Sequence, residues 1–149
     1  MTSARDEITD LLFIYAERID AGDFAGVADL FTEAEISFTG FDQVRRGRDQ
    51  VLTMYESTTR RYPDGTPKTK HVMTNVIVEV DEAAATATAR SYFTVLQAVP
   101  GALSLQPVIA GRYDDTFRRG ARGWHFTTRR MSPELVGDLS AHMLADLGL

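Results

Sequence analysis

The sequence predicts an α+β fold in which helices come first and a four-strand antiparallel meander follows, the helices covering one face of a curved sheet. Apolar residues recur at helical spacing through the first 62 positions, and from Lys70 onward the spacing changes to two. The chain has 149 residues, 44% apolar and 25% charged, enough for one domain (1–149) with one core and too few for two.

Ile8, Leu11, Leu12, Tyr15, Ala16 and Ile19 stand at i, i+3, i+4, i+7, i+8 and i+11, which is one apolar face of a helix. Ser3 or Asp6 can cap its start and Gly22 closes it. Asp23 caps a short second helix whose apolar residues are Phe24, Val27, Ala28, Leu30 and Phe31. Glu35 to Phe41 is a short strand followed by a loop. Gly47-Arg48-Asp49 opens a third helix with Val51, Leu52, Tyr55 and Tyr62 on one side, stopped by Pro63-Asp64-Gly65.

In the strand that begins at Lys70, Val72, Thr74, Val76, Val78 and Val80 share one face and His71, Met73, Asn75 and Ile77 the other. Thr86 to Gln97, Gln106 to Arg119 and Trp124 to Met131 follow as strands, the last two joined by a Gly120-Ala121-Arg122-Gly123 hairpin. Ser132-Pro133-Glu134 places an N-cap before a proline at the first helical position, predicting a terminal helix with Leu135, Leu139, Met143 and Leu147. Helices on the concave side of a sheet leave a cavity between the layers, where a hydrophobic small-molecule ligand is expected. His71, Met73 and Asn75 are expected to face it. The outward row Val76, Val78 and Val80 predicts a homodimer through the sheet, because such a row is poorly left in water.

Composition removes several functions. The chain has no cysteine, which excludes a disulfide scaffold, a thiolate metal site and a cysteine nucleophile. A net charge of −5 opposes binding to a polyanion, so no nucleic-acid partner is expected. The start MTSARDEITD lacks a secretory pattern and no run is apolar enough to span a bilayer, so a cytoplasmic protein without a membrane partner is expected. Neither metal-ligand spacing nor a glycine-rich phosphate loop is visible, so no cofactor is expected.

Of the three histidines, His125 and His142 fit packing or surface roles, whereas His71 lies on the cavity side among apolar and amide neighbours. A buried neutral imidazole needs a partner for its second nitrogen, and a carboxylate there fixes the tautomer and stabilises the imidazolium. On the first helix Asp6, Asp10 and Glu17 project away from the apolar face, while Asp20 lies on its margin beside Ala16. Asp20 is therefore the acid nearest the core, or equally a helix-end carboxylate. Tyr15, in the middle of that face, is either structural or turned to the cavity. Tyr113, Asp115 and Phe117 share a face of a later strand, and a buried Asp115 is better read as the partner of Arg129 than as an acid catalyst.

Together, the run Ile14 to Asp23, Leu30-Phe31, His71 to Val76, Gly111 to Asp115, Gly123-Trp124 and Arg129-Arg130 resembles the SnoaL-like branch of the nuclear-transport-factor-like superfamily. That family includes scytalone dehydratase, bile-acid dehydratase, hexachlorocyclohexane dehydrochlorinase, ketosteroid isomerase and polyketide cyclases. The resemblance implies a cone-shaped, cystatin-like α+β barrel with the N-terminal helices on the concave face. In the first three enzymes a histidine on the first long strand pairs with an aspartate ending the first helix and acts as the base of an elimination. His71 and Asp20 fall on those positions, and Tyr15 matches a functional tyrosine of the bile-acid enzyme. The isomerase base position is occupied here by the Phe38-Thr39-Gly40 stretch. Near the second histidine or aspartate of the dehydratases stand Thr94, Val95 and Gln97.

The expected function is a lyase of dehydratase type acting on a hydrophobic, oxygenated, polyketide- or steroid-like molecule. His71 removes a proton from carbon, Asp20 orients it, and Tyr15 donates to a leaving group or carbonyl. Met73, Asn75, Tyr55, Tyr92, Tyr113 and Asp115 are expected around the substrate. The alternatives are a polyketide cyclase or isomerase using an acid such as Asp115, and a binding protein in which Asp20 and His71 are only structural.

Overall fold

A computed structural model describes residues 1–146 and 148–149. The elements are α1 (Ala4–Asp20), α2 (Phe24–Asp29), β1 (Glu35–Phe38), β2 (Arg45–Arg46), α3 (Gly47–Thr58), β3 (Thr69–Asp81), β4 (Thr86–Val99), β5 (Leu103–Gly120) and β6 (Gly123–Val136). The strands form one sheet in the order β2-β1-β6-β5-β4-β3. The expected meander is its antiparallel part, β3 to β6, and β1 adds to β6 in parallel, so the sheet is mixed.

The caps follow the local chemistry. Ser3 accepts from the amide of Asp6 at the start of α1, and Asp23 accepts from the amide of Gly26 at the start of α2. Between them Gly22 adopts φ +75°, and a Cβ there would stand inside the carbonyl oxygen of Gly65. Gly22→Ala is therefore expected to cost on the order of 3 kcal/mol, the sum of a left-handed alanine and the displaced loop. Urea unfolding measures it, and an unchanged midpoint would contradict it.

Ile8, Leu12, Tyr15 and Ile19 of α1 pack with Phe24, Val27, Phe31, Val51, Met54 and Tyr55 against the inner face of the sheet. β4 keeps strict alternation, burying Ala87, Ala89, Ser91, Phe93, Val95, Gln97 and Val99.

β3 does not keep its phase. Thr74 pairs with Tyr92 and Ile77 with Arg90, so Asn75 and Val76 together oppose Ser91 in a bulge. Asn75 takes φ 52°, a left-handed conformation that asparagine tolerates better than most residues. Beyond the bulge the faces exchange. Val78 is buried, Val76 and Val80 pack against the core, and Asn75 is exposed. This corrects the expectation that Asn75 faces the cavity and removes the outward valine row. The outer face of β3 and β4 carries exposed Val72, Ile77 and Tyr92 instead.

The terminal helix is also corrected. β6 continues through Ser132 and Pro133 to Val136, where Pro133 sits opposite Gly111 at a register irregularity and beyond the end of β1. Such a position tolerates proline within a sheet. Gly111 admits the approach, since a Cβ there would meet the carbonyl of Ser132 and the ring of Phe93. After Val136 the described residues form no helix, and Leu147 lies outside them. Among the described residues no helix is long and apolar enough to cross a membrane.

Candidate active site

Asp20 is the last residue of α1, and its carboxylate reaches the first residues of β3. It accepts hydrogen bonds from the backbone N–H of His71 at 2.8 Å and from the Thr69 hydroxyl at 2.9 Å. His71 Nδ1 lies 2.6 Å from Asp20 Oδ1. An ionised carboxylate can only accept, so this contact places the proton of a neutral imidazole on Nδ1 and leaves Nε2 as a lone-pair base. Among the described residues nothing hydrogen-bonds Nε2, and His71 lines a cavity of about 300 Å³.

The cavity lies between α1, α3 and the inner face of the sheet. Phe38, Met54, Phe93, Val95, Ile109 and Met131 are among its apolar walls, and no described Asp or Glu lines it. Tyr15 and Tyr55 share a hydroxyl–hydroxyl hydrogen bond of 2.7 Å on one wall. Tyr113 stacks on Phe93 with ring centroids 4.5 Å apart. Burial first, and the neighbouring Tyr15 next, push the Tyr55 and Tyr113 phenols well up, so both remain hydrogen-bond donors at ordinary pH.

Four residues expected around a substrate stand elsewhere. Asn75 is outside because of the bulge, and Tyr92 is on the outer face between Thr74 and Arg112. Asp115 is buried beneath the site, where Arg129 Nε and Nη2 donate to its two oxygens at 2.8 and 3.0 Å. Burial pushes its carboxyl up and Arg129 opposes this. Met73 packs against the core and is not a lining residue. Tyr15, Tyr55, Tyr113 and His71 do line the cavity, with Asp20 behind His71.

His142, which the sequence places among apolar helix residues, lines the same cavity. Its ring centroid is 6.4 Å from that of His71. Residues 137–146 bring it there by folding back over the open end, where Met143 bridges Thr59 and Leu144 N donates to Thr58. The signal is absent from local sequence because it depends on long-range attachment. Burial first, then His71, lower the His142 imidazole to about 4 against a smaller upward pull from Asp20.

The unfolded chain takes up this proton from about pH 6.5 and the folded chain only near 4, so the stability is complete above 6.5 and is lost as the pH falls. The loss is expected to be on the order of 3 kcal/mol. Urea midpoints between pH 7.5 and 4.5 measure it, and His142→Leu should flatten the slope. Equal slopes in the two proteins would contradict the assignment.

Helices on the concave side of a curved mixed sheet, with a cavity between the layers, define the NTF2-like superfamily of cystatin-like fold. The chain belongs to the SnoaL-like family, whose domain model matches residues 1–130. An NTF2-like protein with a cystatin-like fold from Novosphingobium aromaticivorans is 25% identical, with a TM-score of 0.73 over 93% of this chain and 86% of that one. A protein of unknown function from Mycobacterium tuberculosis is 24% identical, with a TM-score of 0.70 over 87% and 70% of the two chains. A second Novosphingobium aromaticivorans protein, provisionally named a scytalone dehydratase, is 20% identical, with a TM-score of 0.71 over 95% and 91%. Comparison with curated proteins gives no match.

Proposed function

We propose that the protein is a lyase of the dehydratase type acting on a hydrophobic, oxygenated small molecule of polyketide- or steroid-like character. The observation that carries this is the 2.6 Å contact of His71 Nδ1 with Asp20, which leaves Nε2 free on the wall of a cavity lined mainly by apolar and aromatic residues. Family membership and the dehydratase name of one structural neighbour agree with it.

In this reading His71 Nε2 takes a proton from the carbon next to a carbonyl, and the C–H electron pair becomes the new C=C bond as the β C–O bond breaks. The departing hydroxide takes the proton back from the imidazolium and leaves as water. Asp20 neutralises the imidazolium in between, and the Tyr15–Tyr55 pair donates to the carbonyl oxygen as negative charge develops. The cyclase alternative is less supported, since no described Asp or Glu lines the cavity and Asp115 is buried against Arg129.

The test is incubation with bicyclic β-hydroxy ketones such as 3-hydroxy-1-tetralone in D₂O, followed by NMR. Loss of water or uptake of deuterium at the α carbon is expected. Compounds that bind without exchange or elimination would leave a binding protein. We also propose a homodimer through the outer face, now carried by Val72, Ile77 and Tyr92, and light scattering giving 16.5 kDa at micromolar concentration would contradict it.

A further inference from the structure

His142 is buried to 7% exposure, yet its Nδ1 has no hydrogen-bond partner among the described residues. Buried polar atoms without partners are rare and costly, and this one belongs to a ring that lines the cavity. The backbone around the ring is itself engaged. The carbonyl of Ala141 accepts from the Tyr62 hydroxyl at 2.5 Å and from Gln97 Nε2 at 3.0 Å. The carbonyl of His142 itself accepts from Arg60 N at 2.8 Å. The main chain on both sides of the imidazole is thus fixed, while the ring at the cavity is left unsatisfied.

The groups facing the ring are His71 and, behind it, Asp20. Neither satisfies it, because Asp20 is already engaged by His71 and Thr69. With the imidazole lowered to about 4, the ring is neutral at neutral pH and offers one N–H and one lone pair to whatever enters.

We infer that His142 is a ligand-binding residue whose unpartnered imidazole hydrogen-bonds an uncharged oxygen substituent, a hydroxyl or carbonyl, of a ring compound held between the apolar walls. The inference rests on the reading of the cavity as a ligand site and is independent of His71 acting as a base. A neutral imidazole can donate to a hydroxyl or carbonyl oxygen and can accept from a hydroxyl, a second bond that a carboxylate does not offer.

Titration with 1-naphthol and with naphthalene at pH 7.5, read by fluorescence, tests the inference. The wild type is expected to prefer 1-naphthol by tenfold or more, a hydrogen bond's difference in a desolvated site. His142→Leu should reduce the preference to threefold or less with naphthalene affinity retained, and should melt no lower than wild type, since the fold already leaves the ring unpaired. His142→Gln, which retains a donor and an acceptor, should keep part of the preference. In ¹⁵N-histidine spectra of the wild type, 1-naphthol should move the His142 nitrogen signals and naphthalene should not. His71→Gln should keep the preference while losing turnover, which separates failure of this inference from failure of the lyase reading. Absence of a preference in wild type, an unchanged preference in His142→Leu, or unmoved His142 signals would each overturn it.

Discussion

His71→Gln is expected to lower turnover of any β-hydroxy ketone the protein dehydrates by about 10²–10⁴-fold, the usual contribution of one positioned base. Glutamine fills the same space and can still reach Asp20, so fold and ligand affinity should change little. Asp20→Asn should cost nearly as much, because an amide can hold the imidazole in the wrong tautomer and cannot offset its positive charge. Asp20 also accepts from the backbone of His71 and from Thr69, so this variant should in addition lose stability. Thermal melts run beside the kinetics separate the two effects. Wild-type rates in both folded variants would make the pair structural.

The largest stability effect is expected at the other acid. Arg129→Leu should destabilise the protein by about 3–5 kcal/mol, since it strands the Asp115 carboxylate in the core. Arg129 is fully buried, its guanidinium 3.8 Å from the ring centre of Tyr113 and 4.4 Å from that of Tyr15. Burial alone would lower its pKa, but Asp115 more than reverses that, so it stays charged. Lysine cannot reproduce the two-pronged contact with Asp115, and Arg129→Lys should recover little. The double variant Asp115→Leu, Arg129→Leu should be less destabilised than the single one, because no lone charge is left behind. Urea unfolding of the wild type and the three variants checks this, and a double variant no more stable than Arg129→Leu would contradict it.

The sequence was most informative where geometry is local. The 3.6-residue spacing of α1 is enough to put Tyr15 in the core and Asp20 on its margin, and alternation is enough to put His71 inward, because nothing interrupts β3 before it. Asn75 shows the limit. The valines at 72, 76, 78 and 80 keep an unbroken period of two, and one left-handed residue reverses the faces without changing the pattern. Ser132-Pro133 is a good helix start by local rules, yet pairing with β5 satisfies more of its backbone, and long-range pairing prevails over local propensity. His142 was illegible for the same reason, since its position follows from contacts with α3 and β4 that are distant in sequence.

The segment that carries His142 is tied down almost wholly through its own main-chain atoms: the carbonyls of Ala141, His142 and Met143 and the amide of Leu144. Such anchoring is indifferent to side-chain identity. Leu139, His142 and Met143 can therefore diverge while the path of the segment persists, and the distance from Asp20 to His71 is set elsewhere, by α1 and β3. Selection is free to retune what enters the cavity through these positions and leave the proton-transfer pair untouched, an arrangement suited to a lineage that acquires new substrates without rebuilding its chemistry.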